Sequence, residues 1–239
     1  MAGLDPSGHA GLMVDHLAIE ASGAEPLLVA AALTAQSSAG ARAILPVSPD
    51  FVRQQMDVLL EDGGIHAAKT GVLFSSGTIK AVARFLQEHP VPLVIDPVIS
   101  ASSGFPLLEN GALDALTGEL FPLARLVTPN LDETEALTGM RPGDAEEMAM
   151  AGEMISSMGP DAVLIKGGHL EKPADLLWFG REARIFPHAR KPEKRGTGCA
   201  LSASIAGRLA MGDDLPEAVA WGIDWVQSVY LGQGLGLKY

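Results

Sequence analysis

The chain has 239 residues, 47% of them hydrophobic, and carries 29 acidic against 17 basic side chains for a formal charge of −12. That length and apolar content can build a substantial core, while the acidic balance argues against nonspecific binding to nucleic acid or to anionic membranes. The one cysteine cannot form an internal disulfide, no apolar run approaches the roughly 20 residues of a membrane span, and the N-terminus lacks the basic-then-apolar order of a secretory signal, so a cytoplasmic location is expected.

In chain order, "GLDPSGHAGLMVD" is a small-residue turn with three glycines that leads into a helix near Ala10, and Gly23 is placed to end it. Short apolar runs at 27–33, 41–47, 65–69, 93–98, 125–128, 162–166, 175–179 and 183–187 read as strands. Between them, Ser48 before Pro49 opens one helix, Asp144 with Glu147 three residues on forms a capping box for another, and Asp214 with Pro216 opens the last. Strands alternating with helices predict an α/β doubly wound fold, a mostly parallel sheet with helices on both faces. The closely spaced last two strands predict an antiparallel hairpin at its edge. No linker, charge block or repeat divides residues 1–239, so one domain is expected.

In an open α/β sheet, ligands bind beyond the carboxyl ends of the strands. The polar residues at those ends are Gln36, Lys69, Asp96, Asn130 with Glu133, and Lys166 followed by "GGH". A metal-nucleotide enzyme needs such amide, lysine and carboxylate groups, although solvated loops also end strands in polar residues. Asp96 precedes Pro97, so turn chemistry is an alternative reading there. In "GTGC", Gly196 and Gly198 permit a tight turn around Thr197, and the amides opening the next helix form an anion hole. Cys199 in that first turn is either a base towards a hydroxyl, part of the hole, or simply a small buried hydrophobe. A hard cation such as Mg2+ would be bound by one or two carboxylates plus substrate phosphates.

Taken together, "GLDPSGHAGLMVD", "LTAQSSAG", "AAKTGVL", "VIDPVISASSG", "LVTPNLDETEAL", "VLIKGGH" and "GTGCALSASIA" resemble, in order and spacing, the bacterial hydroxymethylpyrimidine and hydroxymethylpyrimidine phosphate kinases of thiamine synthesis. The resemblance runs from about residue 3 to about residue 210. It implies a ribokinase-like fold and ATP-dependent, Mg2+-dependent phosphorylation of 4-amino-5-hydroxymethyl-2-methylpyrimidine, of its monophosphate, or of both, by a homodimer. It also implies roles: Cys199 with Gly196, Thr197 and Gly198 as catalytic residue and anion hole, and Lys166 near the transferring phosphates. Asp96 and Glu133, with Asn130 in an Asn-x-x-Glu pattern, would organise the metal. Asp15 and Gln36, with Gly11, Val72 and Val98, would line the pyrimidine pocket. Alternatives are a pyridoxal or pyridoxine kinase and a catalytically silent pyrimidine-binding protein.

The sequence departs from the family's pattern beside these sites. Ser37 and Ser38 follow Gln36 where Asn-Thr is usual, Ser102 replaces a lysine, and Glu193, Lys194 and Arg195 stand where Asn-Thr-His is usual. The apolar strand that normally precedes "GLDPSG" is expected to be missing before residue 3, and "GQGLGLKY" is a shorter tail than the family's.

Overall fold

The computed structural model describes residues 1–232 apart from Ser38, Asp62, Ser102 and Glu193. The expectations placed on Ser38, Ser102 and Glu193, and on the tail from 233 on, lie outside the described residues. Strands run β1 Ala2–Leu4, β2 Ala30–Ser37, β3 Gly40–Pro46, β4 Ala68–Thr70, β5 Leu93–Ile95, β6 Leu126–Val127, β7 Ala162–Gly167, β8 Ala174–Phe179 and β9 Glu182–Pro187. Helices are α1 Gly11–Ala21, α2 Pro49–Leu59, α3 Ser76–Glu88, α4 Ala112–Ala115, α5 Leu131–Thr138, α6 Ala145–Ser156, α7 Thr197–Ala210 and α8 Leu215–Trp225.

Strands β4, β5, β6 and β7 pair in parallel, and β7, β8 and β9 follow as an antiparallel edge. The expected hairpin is therefore present. A second, three-stranded sheet holds β1 parallel to β2 and β2 antiparallel to β3.

A short strand, Ala2–Leu4, runs into "GLDPSG" itself, with Gly3 and Leu4 the first residues of that motif. Met1 bridges the two sheets: its nitrogen donates to the Lys69 carbonyl at 2.8 Å, and its own carbonyl accepts from Gly71 at 3.0 Å. Ala2 donates to Val29. Three residues are too few for any periodic signal, yet they satisfy the neighbouring ladder groups. The strand expected over 27–33 is displaced to Ala30–Ser37, because pairing with β3 in a hairpin extends it to Ser37. Asp96-Pro97 stops β5 at Ile95, so Val98 lies beyond the strand.

Adjacent strand residues feed opposite cores, as period-two geometry requires. Leu93, Ile95, Val127, Val163 and Ile165 pack with α2, α3 and α6 on one face. Val94, Leu126, Ala162 and Leu164 pack with α1, α7 and α8 on the other. Ser48 caps α2 through the Phe51 N–H, and Asp214 caps α8 through the Glu217 N–H. At α6, Asp144 accepts from Glu146 and Glu147, but the Glu147 carboxylate reaches Gly143 rather than Asp144, so the expected box is not reciprocal.

Candidate active site

The parallel order β4-β5-β6-β7 brings the ends of four strands to one rim, and α7 starts against it. Asp96 follows β5, Glu133 lies in the first turn of α5 after β6, and Lys166 is near the end of β7. Lys166 Nζ donates to Asp96 Oδ1 at 2.9 Å and stands 3.9 Å from Glu133 Oε2. Both carboxylates are buried, and the lysine is 15% exposed. Desolvation pulls the Lys166 ammonium down, but Asp96 and Glu133 together hold it above the ordinary lysine range. Burial pushes the Glu133 carboxyl up to about 7, against the pull of Lys166.

Asn130 and Glu133 form a reciprocal capping box. The Asn130 side chain accepts the Glu133 N–H at 2.9 Å, and Glu133 Oε2 accepts the Asn130 N–H at 2.8 Å. The Asn-x-x-Glu spacing is thus a local device that fixes the carboxylate. Asn130 Oδ1 accepts in the cap, so the residue positions Glu133.

Gly196, with φ +80°, is the N-cap of α7, and a Cβ there would lie 2.3 Å from the His9 carbonyl oxygen. Only glycine permits that approach. Thr197 turns its hydroxyl back to the Lys194 carbonyl at 2.7 Å, so it braces the turn. A Cβ on Gly198 would lie 3.0 Å from Lys166 Nζ and 3.7 Å from Asp96 Oδ2. The first-turn amides of α7 therefore open onto the Lys166 cluster. Cys199, one residue on, is half-buried. Desolvation pushes its thiol up to about 11, while Lys69 and a backbone hydrogen bond from Gly11 pull the other way.

At the start of α1, Gly11 has φ +61°, and a Cβ would stand 2.2 Å from the Gly3 carbonyl oxygen. This lets α1 start against β1, with Gly11 beside the Cys199 thiol. Asp15, one turn into α1, forms a buried ion pair with Lys69 at 2.8 Å, the side chains being 3% and 2% exposed. Desolvation pulls Lys69 down, but Asp15, Cys199 and Asp96 outweigh it and hold the ammonium above its usual range. Asp15 Oδ2 is buried with no hydrogen-bond partner. Gln36 and Val72 are half-buried near β1 and β2, and Val98 is half-buried after β5.

Lys69 is the site residue to which sequence reasoning gave no role. Its signal was a lysine inside the apolar run "HAAKTG", but no local spacing names Asp15 as its partner.

Among the described residues no group of three or more His, Cys, Asp or Glu side chains forms a metal cage. The donor set nevertheless fits a hard divalent cation brought in with phosphates. Two buried carboxylates face one ammonium, so ionising both leaves negative charge for a cation to compensate, and both offer oxygen ligands. A cleft of about 520 Å³ lies between β9 and α8, lined by Arg184, Phe186, His188, Ile223 and Gln227. It adjoins the Lys166 end of the rim: His188 stands 3.4 Å from Asp175, which accepts the Gly167 N–H at 3.0 Å.

Comparison with known proteins matches residues 5–237 to the phosphomethylpyrimidine kinase family model. A hydroxymethylpyrimidine/phosphomethylpyrimidine kinase of Mycobacterium tuberculosis is 40% identical over 99% of this chain and 90% of its own. The crystal structure of a phosphomethylpyrimidine kinase from Clostridium difficile superposes with TM-score 0.85 at 32% identity, covering 96% of each chain. The pyridoxal kinase of Staphylococcus aureus in complex with AMP-PCP superposes with TM-score 0.88 at 27% identity, covering 98% of this chain and 87% of its own.

Proposed function

Since the chain belongs to the phosphomethylpyrimidine kinase family, we propose that residues 1–239 act as one domain that transfers the γ-phosphoryl group of ATP to hydroxymethylpyrimidine, to its monophosphate, or to both, in thiamine synthesis. The observation that carries this reading is the convergence of the Gly198–Cys199 turn on Lys166 and Asp96. Phosphoryl transfer asks a protein chiefly for positioning and for stabilisation of charge on the moving group. The amides of Gly198 and Cys199 receive the phosphoryl oxygens, and Lys166 supplies the fixed positive charge beside them. Asp96 and Glu133 would hold Mg2+, which when bound neutralises phosphate charge. The cleft between β9 and α8 is of a size that suits a nucleotide.

The acceptor lies against Gly11, Gln36, Val72 and Val98, with its hydroxyl towards the Cys199 sulfur. Asp15 Oδ2, buried and without a partner, accepts from a donor on the ring, as the amino group of an aminopyrimidine requires. In the free protein Cys199 is a thiol. To take the hydroxyl proton it must first lose its own, and the flanking Lys69 and Lys166 ammonium groups favour that loss. We place the enzyme in the cytoplasm, where its lone cysteine stays reduced, with no nucleic-acid or membrane partner. We also read it as a homodimer, a state supported by the exposed apolar row Leu4, Leu33 and Leu45 across β1, β2 and β3; light scattering tests it.

The deciding experiment measures ADP and phosphorylated product with ATP and Mg2+, offering hydroxymethylpyrimidine, its monophosphate and pyridoxal in parallel. Turnover of either pyrimidine supports the reading. Turnover of pyridoxal alone would make the protein a vitamin B6 kinase, and saturable pyrimidine binding without turnover would make it a silent binder.

A further inference from the structure

The residue immediately before the GTGC turn is Arg195, and its contacts reach both halves of the site. One terminal nitrogen of its guanidinium donates to Asp5 Oδ2 at 2.8 Å and the other to the Ser37 carbonyl at 2.6 Å. We propose that Arg195 is a positioning residue for phosphoryl transfer, a bridge that fixes the acceptor pocket against the anion hole. The assignment rests on the kinase reading above.

Each anchor of the bridge is itself held. The Asp5 side chain is fully buried. Its Oδ1 accepts from the Ser7 N–H at 2.9 Å and the Ser7 hydroxyl at 2.7 Å, so the Asp5 carboxylate organises the turn that leads to Gly11. Ser37 directly follows Gln36 at the end of β2, so the second contact pins the strand carrying that pocket residue. On its own side, the Arg195 carbonyl accepts from the Tyr230 hydroxyl at 3.0 Å. The next residue, Gly196, lies with its backbone against His9. One side chain therefore links the 5–11 turn, the end of β2 and the start of α7. A planar guanidinium can serve two acceptors in different directions at once, which a lysine ammonium on a flexible stem does less well. The acceptor hydroxyl must be held in line with the phosphoryl group, and a displacement of about 1 Å costs on the order of 100-fold in rate.

The test compares Arg195→Met, which keeps the stem and removes both donors, with Arg195→Lys, which keeps one charge for Asp5. ADP and phosphorylated pyrimidine are counted in the same reactions. Loss of register is expected to lower product formation by on the order of 100-fold in Arg195→Met, with ADP exceeding product because water replaces the misplaced hydroxyl. Arg195→Lys is expected to recover part of the loss and carries the test should Arg195→Met not fold. ADP and product formed one to one in both variants, whatever the rate, would overturn the proposal and leave Arg195 a structural tether. If the wild-type protein phosphorylates no acceptor, the kinase reading fails by itself, and hydrogen exchange decides the bridge. Faster exchange at both the end of β2 and the first turn of α7, with the β5–β7 core still protected, supports it; acceleration at only one of them, or at neither, overturns it.

Discussion

Two lysine–carboxylate clusters lie on either side of Cys199, and they are built differently. Lys69 and Asp15 are matched one to one at 2.8 Å and almost completely sealed. Lys166 faces two carboxylates, Asp96 at 2.9 Å and Glu133 at 3.9 Å, and is itself partly open to solvent. The first cluster pairs one cation with one carboxylate and leaves one buried oxygen, Asp15 Oδ2, without a hydrogen-bond partner. The second has one more carboxylate than cation and a partly exposed ammonium. That combination suits a transient guest with both a metal and phosphates, whereas the sealed pair suits a small uncharged ring. The same two residue types thus build two different electrostatic environments on one rim, through their ratio and exposure.

The sharpest way to break the comparison is at the residue between the clusters. Cys199→Ala is expected to lower turnover by about 100- to 10,000-fold with little change in thermal midpoint; equal losses in activity and stability would return the thiol to core filling. On the phosphate side, Lys166→Met is expected to slow product formation by about 100- to 1,000-fold. With the ammonium gone, ionising Glu133 beside Asp96 becomes less favourable, and Mg2+ would supply the missing positive charge, so added Mg2+ should raise the melting temperature of this variant more than that of the wild type. No difference in that Mg2+ response would remove the pair from the metal site.

On the acceptor side the expected damage is to folding. Lys69→Met leaves Asp15 buried without its cation and is expected to cost about 3–5 kcal/mol in denaturant titration, while Lys69→Met with Asp15→Asn should restore much of it. A double variant as unstable as the single one would mean that Lys69 contributes packing rather than charge. The smallest effect is one of pH. Because desolvation holds the Cys199 thiol up at about 11, the reactive thiolate is scarce at neutral pH and grows as pH rises. Alkylation of the free protein by iodoacetamide should therefore climb through pH 7 to 10 without levelling. A plateau below pH 9 would show a thiolate already stabilised before ligands bind.

Much of the site was legible in the sequence because its residues stand where strands end. Asp96, Glu133 and Lys166 each follow an apolar run, and parallel strands deliver their carboxyl ends to the same rim. The glycines at 196 and 198 were legible for a related reason, since a turn into a helix needs them. Lys69 was less so: its partner is 54 residues away, and only the placement of β4 beside α1 makes them neighbours. The Arg195 bridge to Asp5 and Ser37 spans 190 and 158 residues and leaves no periodic trace. The strand Ala2–Leu4 escaped for want of length, and β2 was misplaced because its end is set by a hairpin partner.

By itself the sequence determined the alternation of strands and helices, the caps at Ser48 and Asp214, the helix end near Gly23, and the turn that opens α7. Those features are decided within about one helical turn or one strand, where propensity, capping and glycine's conformational freedom act. Only the tertiary structure decided which lysine neutralises which carboxylate, and that one arginine ties both halves together. Coulomb attraction and hydrogen bonding depend on separation in space, and for residues far apart in the chain that separation is fixed by strand order and packing.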